Sequence, residues 1–360
     1  MMLRALNVAS DYMRAQLYAM SSIKRLADIH LLWGPMYARS SLGLGAKLFS
    51  LYSLAEVPRR TWSDYLVNEP LKVRYAAMTP KEARQVADDK IRFFEHCTLH
   101  GIPTANIVAL ITKSPRGAST IPHVLSAEEL ARVLVPGEYF VKPSNGSHGL
   151  GTFSISVTPS GIHWSGGNHG SFDDLARYCE AALHFTRSLI LQPKLLNHHL
   201  IRNITQSKGL STVRVVTVRR AGKIEVIAGA FRIVVGESDV DNFSHGASGN
   251  LVAAIDIASG KTVTSVGSKS KNWPIMKDVA VHPVTGAAIV GVQLPFWPEV
   301  LALVTQAHES IDNLHTVGWD VAILESGPVI VEANWRYDID ILQVAYKKGF
   351  RKVLDEKLPH

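Results

Sequence analysis

The stretch Tyr139-Phe140-Val141-Lys142-Pro143-Ser144-Asn145-Gly146-Ser147-His148-Gly149-Leu150-Gly151, followed by Thr152-Phe153-Ser154-Ile155-Ser156-Val157, constrains this chain more than any other. An apolar strand delivers a lysine into a loop of three glycines and two serines, and a second strand leaves it. Glycine takes φ > 0 without steric cost and lets a backbone approach a ligand closely. Serine hydroxyls and free N–H groups suit phosphate oxygens, and Lys142 supplies the counter-charge. The loop is not a Walker A motif, because Gly-x-x-x-x-Gly-Lys-Ser/Thr is absent, and it is not Gly-x-Gly-x-x-Gly either. Alone, such a loop also reads as a plain hairpin turn. Lys142 weighs against that, since an unpaired ammonium at the end of an apolar strand is costly.

A second constellation lies near the C-terminus. Gly318-Trp319-Asp320-Val321-Ala322-Ile323-Leu324 and Pro328-Val329-Ile330-Val331-Glu332-Ala333-Asn334 read as two strands turned by Glu325-Ser326-Gly327. Glu332 and Asn334 are two apart and share a strand face. The turn lays Asp320 beside them. Two carboxylates and an amide oxygen on one face repel unless a cation sits among them, and Mg²⁺ is held by such ligands plus substrate phosphates. An ordinary polar face is the alternative. Arg214 and Arg232 sit inside apolar strand segments, where arginine pairs with a carboxylate or a phosphate. Structural salt bridges and a catalytic role both fit them. Phosphate loop and carboxylate hairpin together imply a nucleotide–magnesium enzyme.

Around these motifs the chain alternates strands and helices. Thr79-Pro80-Lys81-Glu82 reads as a capping box opening one helix that runs to about His100, with Val86, Phe93, Phe94 and Leu99 on its apolar side and Gly101 ending it. Ile107–Ile111 reads as a strand, and Ser126 and Ser171 as caps of two further helices. Residues 211–219 and 224–235 flank Ala221-Gly222 as a hairpin, and Pro298 opens an amphipathic helix. The domain division expected is 1–75, a helical N-terminal subdomain interrupted at Gly34-Pro35 and Gly43-Leu44-Gly45; 76–190, a lobe with the glycine-rich loop; 191–345, a lobe with the metal site; and 346–360, a tail.

With 46% hydrophobic and 19% charged residues, a 360-residue chain holds ordered cores rather than disorder. Cys97 and Cys179 stand in no metal or redox spacing, and the start carries no secretory pattern, so the cytoplasm is the expected compartment. Residues 1–75 hold ten Lys/Arg against five Asp/Glu, +5 of the chain's +7. That segment is a packed helical subdomain with solvated cations, or a surface meeting the inner face of a membrane or a partner protein. Nucleic acid is not expected, for want of a dense basic run or a binding motif. His198-His199 shows no third ligand at metal spacing and reads as surface.

Over residues 85–345 the chain resembles the ATP-grasp superfamily, which includes D-alanine–D-alanine ligase. Asp89-Lys90 with Gly101-Ile102-Pro103, the Lys142 loop, Leu191-Gln192-Pro193-Lys194-Leu195, and Asp320, Glu332 and Asn334 occur in that superfamily's order. Gly209-Leu210-Ser211-Thr212-Val213-Arg214 and Asn242-Phe243-Ser244-His245-Gly246 are most similar to its sugar-transfer-associated branch, related to the α-L-glutamate ligases. The resemblance implies an α+β, ATP-grasp fold, two α+β lobes clasping ATP. It implies Lys90 and Lys142 on the phosphates, Ser147, His148 and Gly149 in a flexible loop over them, and Gln192, Pro193, Lys194 and Leu195 at the adenine. Asp320, Glu332 and Asn334 would hold one or two Mg²⁺ ions, or Mn²⁺. D-alanine ligases carry an arginine where this chain has Gly318, so Arg214 or Arg232 takes the transition-state role. The implied reaction joins a small-molecule carboxylate to an amine or sugar substrate through an acyl phosphate, in a polysaccharide-related context. A phosphotransferase and a nucleotide-binding scaffold are the alternatives.

Overall fold

The computed structural model describes residues 2–114, 120–144, 152–164, 167–238 and 240–359. Six helices come first: α1 (Met2–Ser21), α2 (Gly34–Leu42), α3 (Ala46–Leu51), α4 (Asn68–Met78), α5 (Lys81–Asp88) and α6 (Lys90–Leu99). Pro35 sits in the first turn of α2, where its missing N–H is harmless, and Gly43 ends that helix with φ 70°. The helix expected from Thr79 to His100 is two. The Thr79 hydroxyl donates to the Tyr75 carbonyl (2.7 Å) and closes α4 instead of opening α5. The Asp89 carboxylate accepts from the Ile91 and Arg92 amides, starting α6 afresh. In α6 Phe93 is buried, whereas Leu99 faces solvent.

A first sheet follows, built from β1 (Ala109–Ile111), β2 (His123–Val124), β3 (Gly137–Pro143), β4 (Phe153–Thr158), β5 (Gly161–Trp164), β6 (Asn168–Gly170) and β7 (Leu189–Pro193), ordered β2-β1-β7-β3-β4-β5-β6. The helices α7 (Ala127–Val133) and α8 (Phe172–Ala182) open with the expected capping boxes, Ser126 with Glu129 and Ser171 with Asp174. Their Leu130, Leu175 and Cys179 pack on one face of the sheet with Val141, Ile155, Leu189 and Leu191. The other face carries Leu110 and Ile190, covered by Ile91 of α6. Lys142 is the cross-strand partner of Ile190, so strand alternation sends it to this second face.

After α9 (His199–Thr205) a second sheet is laid down: β8 (Thr212–Arg220), β9 (Lys223–Ile233), β10 (Leu251–Ile255), β11 (Thr262–Ser268), β12 (Met276–Asp278), β13 (Thr316–Leu324) and β14 (Gly327–Asn334), ordered β12-β11-β10-β9-β8-β13-β14. The β8–β9 turn places Ala221 and Gly222 at φ 47° and 77°, the left-handed pair a tight hairpin needs. Between β12 and β13 runs α10 (Trp297–Glu309), opened by Pro298 as its period predicts. The chain closes with α11 (Asp340–Tyr346) and α12 (Arg351–Lys357); the expected tail is thus partly a packed helix, with Phe350 and Leu354 buried.

The N-terminal helices share one continuous core with the second sheet. Their docking is fixed by Gln343, fully buried, whose Oε1 accepts from the Leu66 amide (2.8 Å) and whose Nε2 donates to the Leu66 carbonyl (3.0 Å). The two sheets meet along β14: Ile330 donates to the Pro103 carbonyl (3.0 Å), and its carbonyl accepts from the Ala105 amide (3.1 Å). Cys97 and Cys179 are free and buried in separate cores. No helix among the described residues is long and apolar enough to cross a membrane. Replacing Gln343→Leu strands two buried backbone groups of Leu66 and should lower the unfolding free energy by roughly 2–4 kcal/mol, read by urea denaturation; an unchanged midpoint would show that the N-terminal helices dock without this contact.

Candidate active site

The β13–β14 hairpin forms as its periodicity predicts. Asp320 faces Glu332 across the ladder and Gly318 faces Asn334, with a bulge at Val331 next to them. On its other side β13 pairs with β8, and Asp320 stands opposite Arg214. The Arg214 guanidinium grips the carboxylate at both oxygens, Nε to Oδ1 at 2.5 Å and Nη2 to Oδ2 at 2.9 Å. Arg232 reaches the same Oδ2 from β9 (2.9 Å) and holds Asp241 with its other terminal nitrogen (2.7 Å). Asp241 in turn accepts from the Thr212 amide (2.8 Å) and hydroxyl. The Nε of Arg232 is buried with no acceptor among the described residues.

Gly318 has a specific reason to lack a side chain. A Cβ there would stand 2.9 Å from Arg214 Cδ and equally close to Tyr337 Cβ. The Arg214 side chain therefore crosses the space a residue at 318 would fill.

Opposite this cluster, the first sheet contributes Lys142 and α6 contributes Lys90. Lys90 Nζ lies 3.4 Å from Glu332 Oε1. Burial pulls the Lys142 ammonium down to about 8; Glu332 and Asp320 work against the shift and Lys90 adds to it. Burial likewise disfavours the Asp320 carboxylate, but Arg214 and Arg232 outweigh it and hold the group below the usual range. Asp241 goes the other way: burial and the neighbouring Asp320 raise it despite Arg232. Lys90, Lys142, Thr104, Gln192, Phe94 and Glu332 line a cleft between the two sheets, with Ile107, Ile190 and Ala333 as apolar walls.

Lys90, Lys142, Arg214, Arg232, Asp320, Glu332 and Asn334 are thus brought to one place. Gln192 is close by, but its amide is spent on the Ala105 and Asn106 carbonyls (3.1 and 3.2 Å), so it braces the linker. Pro193 ends β7, Lys194 donates its amide to the Glu138 carbonyl (2.8 Å), and Leu195 follows in the linker toward α9. Ser147, His148 and Gly149 lie outside the described residues. Sequence reasoning missed Asp241; it is one of three acids in the polar run 236–250, with Glu237 and Asp239, and nothing in the sequence singles it out.

Asp320, Glu332 and Asn334 are oxygen donors on one hairpin face, a set that suits a hard divalent cation. Both Asp320 oxygens are already engaged by the guanidinium groups and by Asn334 Nδ2 (3.3 Å to Oδ2). Asp320 Oδ1 accepts only from Arg214 Nε among the described residues and keeps a lone pair that a cation could share, while Glu332 is paired with Lys90. Elsewhere, the structure supplies His198 and His199 with the third group the sequence did not show, Glu325. It is poorly set for a metal. His198 Nδ1 accepts from the Leu200 amide (3.2 Å), which leaves the proton on the Nε2 that faces Glu325. Glu325 Oε1 is taken by the His199 amide (2.7 Å) and Arg202 (3.0 Å).

The family description sugar-transfer associated ATP-grasp matches residues 72–357. The chain belongs to this family and has its ATP-grasp fold, with a helical N-terminal segment. Similar solved structures include D-alanyl-alanine synthetase A from Vibrio cholerae (13% identity, 78% of this chain and 64% of that chain, TM-score 0.42). Others are the L-amino acid ligase from Bacillus licheniformis (11%, 77% and 49%, 0.41) and the N5-carboxyaminoimidazole synthase from Aspergillus clavatus (13%, 82% and 59%, 0.41). The chain spans less than two thirds of each of these proteins' length. No curated protein matches the sequence.

Because Lys142 carries a depressed pKa, it costs the ligand-free fold stability while charged. That cost is complete below about pH 8 and disappears as pH rises toward 10.5, the value in the unfolded chain. Lys142→Met should therefore be more stable than the parent at pH 7 by on the order of 2 kcal/mol, with the gap narrowing by pH 10 in urea titrations. A gap that is constant with pH would mean the ammonium is not desolvated.

Proposed function

We propose that this sugar-transfer-associated ATP-grasp protein joins a carboxylate to an amine at the expense of ATP, through an acyl phosphate. One observation carries the reading: four cations, Lys90, Lys142, Arg214 and Arg232, converge on a carboxylate pair at a cleft between two sheets. Three anions, Asp241, Asp320 and Glu332, stand against them, so the cluster keeps a positive surplus for an anionic ligand.

In this reading a carboxylate oxygen of the substrate attacks the γ-phosphorus and ADP leaves. The amine nitrogen then attacks the acyl carbon, loses a proton, and phosphate leaves. Lys142 and Lys90 neutralise phosphate oxygens, and the phosphate restores a partner to an ammonium that burial otherwise disfavours. Arg232 has a buried Nε donor free for an oxygen that carries developing charge, and Arg214, fixed across Gly318, presents a rigid positive group beside it. Asp320, Glu332 and Asn334 would hold one or two Mg²⁺, which neutralise charge on the phosphates. Ser147, His148 and Gly149 would cover the triphosphate, and the backbone of Gln192, Pro193, Lys194 and Leu195 would meet adenine beside Ile107 and Ile190. An amine or carboxylate sugar, a polysaccharide precursor or an amino acid is the proposed substrate class.

The test is ADP and phosphate release from Mg·ATP against pools of amino acids, amino sugars and carboxy sugars, with mass spectrometry of products. ADP, free phosphate and a condensed product are expected; phosphate retained on one substrate would make the protein a phosphotransferase. Asp320→Asn with Glu332→Gln should cut turnover roughly 10²-fold or more while circular dichroism stays unchanged. Unaltered turnover in that variant would remove the metal assignment.

A further inference from the structure

The N-terminal helices expose apolar side chains in one stretch of the sequence. Among the described residues, Val8, Met13, Leu17, Met20, Ile29, Trp33, Met36 and Tyr37 are all exposed, eight of twenty such large apolar side chains, within 30 residues of a 360-residue chain. Isolated exposed apolar residues are ordinary; a cluster marks a surface that something covers. In α1 the cluster is ordered. Met13, Leu17 and Met20 fall at i, i+4 and i+7 and are 66%, 60% and 50% exposed, while Ala15, Tyr18 and Ala19 fill the core on the other side. The helix is thus apolar on two faces, and one is spent on folding.

Trp33, 69% exposed, belongs to the same surface. Gln16, which flanks Met13 and Met20 on the helix, donates to the Leu32 carbonyl at 2.7 Å and fixes the turn carrying Trp33 against that edge of α1. Cations rim the face. Lys24 and Arg25, four and five residues after Met20 and just past the end of α1, are exposed. Arg59 stacks on the Tyr37 ring at 4.0 Å, next to the exposed Met36. Of the acids nearest this face, Asp11 on α1 pairs with Lys47 (3.8 Å), Asp28 accepts from the Lys24 and Arg25 amides, and Glu56 accepts from the Tyr18 hydroxyl.

The geometry points to an anionic phospholipid surface as the occupant of this face, with α1 lying in the plane of the interface and Trp33 beside it. Twenty residues of helix span about 30 Å, and an apolar stripe with a basic rim is the pattern of an in-plane helix. The charge decides between candidates: a purely apolar partner would leave Lys24, Arg25 and Arg59 without counter-charges, whereas lipid phosphates supply them. The proposal is independent of the chemistry at Asp320.

The test is co-sedimentation of the full chain with vesicles of phosphatidylglycerol mixed into phosphatidylcholine, against phosphatidylcholine alone. Binding only to the anionic vesicles, weakened by salt, is expected. Leu17→Gln with Met20→Gln, and separately Lys24→Glu with Arg25→Glu, should each lower the partition coefficient roughly fivefold or more. Thermal shift with Mg·ATP, whose proposed ligands lie on other elements, should be unaltered in both and shows that they fold. Absence of binding, equal binding to both vesicles, or unchanged binding of the Leu17→Gln/Met20→Gln variant would overturn the proposal. So would a lipid-free dimer in sedimentation velocity that this variant dissolves, which would assign the face to a second copy of the chain.

Discussion

Asp320 cannot be buried without its two arginines, and this requirement organises the second sheet. The residue is 5% exposed, and its partners come from two other strands, Arg214 from β8 and Arg232 from β9. Arg232 in turn needs Asp241, and Asp241 is held by Thr212 at the start of β8. A buried ion network of this kind is weak evidence for stability, but removal of one member leaves an uncompensated charge that costs about 3–5 kcal/mol. Its stronger effect is on register. A slip of one residue in β8 or β13 would turn Arg214 or Asp320 to the opposite face, so the charges specify the alignment that the valine-rich strands alone would leave open.

The first sheet is built to a different rule. One face is saturated by α7 and α8, while the other carries a small apolar patch, Leu110 and Ile190 with Ile91, and then Lys142. A strand with both faces filled could not have presented a lysine to a cleft. The depressed pKa of that lysine is the electrostatic counterpart of its position: it stands where water is scarce and a positive neighbour, Lys90, is near. The second sheet is charged where the first is desolvated, and the cleft lies between the two.

Much of the site was readable from the chain because it depends on local geometry. Asp320, Glu332 and Asn334 lie on two strands joined by a short turn, so period-two alternation places them. The boxes at Ser126 and Ser171 and the turn at Ala221-Gly222 are equally local. The break at Asp89 was missed because Asp89, lying inside a continuous helical pattern, turns its carboxylate to the Ile91 and Arg92 amides; at the other end, Thr79 has a hydroxyl that suits an N-cap, yet the preceding helix α4 offers it the Tyr75 carbonyl first. Asp241 and the role of Gly318 were unreadable for another reason. Each is defined by a side chain arriving from a strand distant in sequence, Arg232 in one case and Arg214 in the other. Gln343 belongs with them, since its partner Leu66 is 277 residues away.

Two of the backbone joints between the sheets end on one hairpin. The chain leaving β7 is pinned where the His198 amide donates to the Ile323 carbonyl (2.8 Å) on β13, and residues 103–105 are hydrogen-bonded to Ile330 on β14. A body tethered to another at a single point can swing in any direction. With two anchors side by side, only rotation about the line through them keeps every one of these backbone bonds. A relative rotation of the sheets that kept these bonds would pivot, like a door on two pins, about a line at the hairpin that carries Asp320 and Glu332. In such a rotation the residues nearest the line would sweep the shortest arcs, and the lysine-bearing sheet would move most relative to the carboxylates.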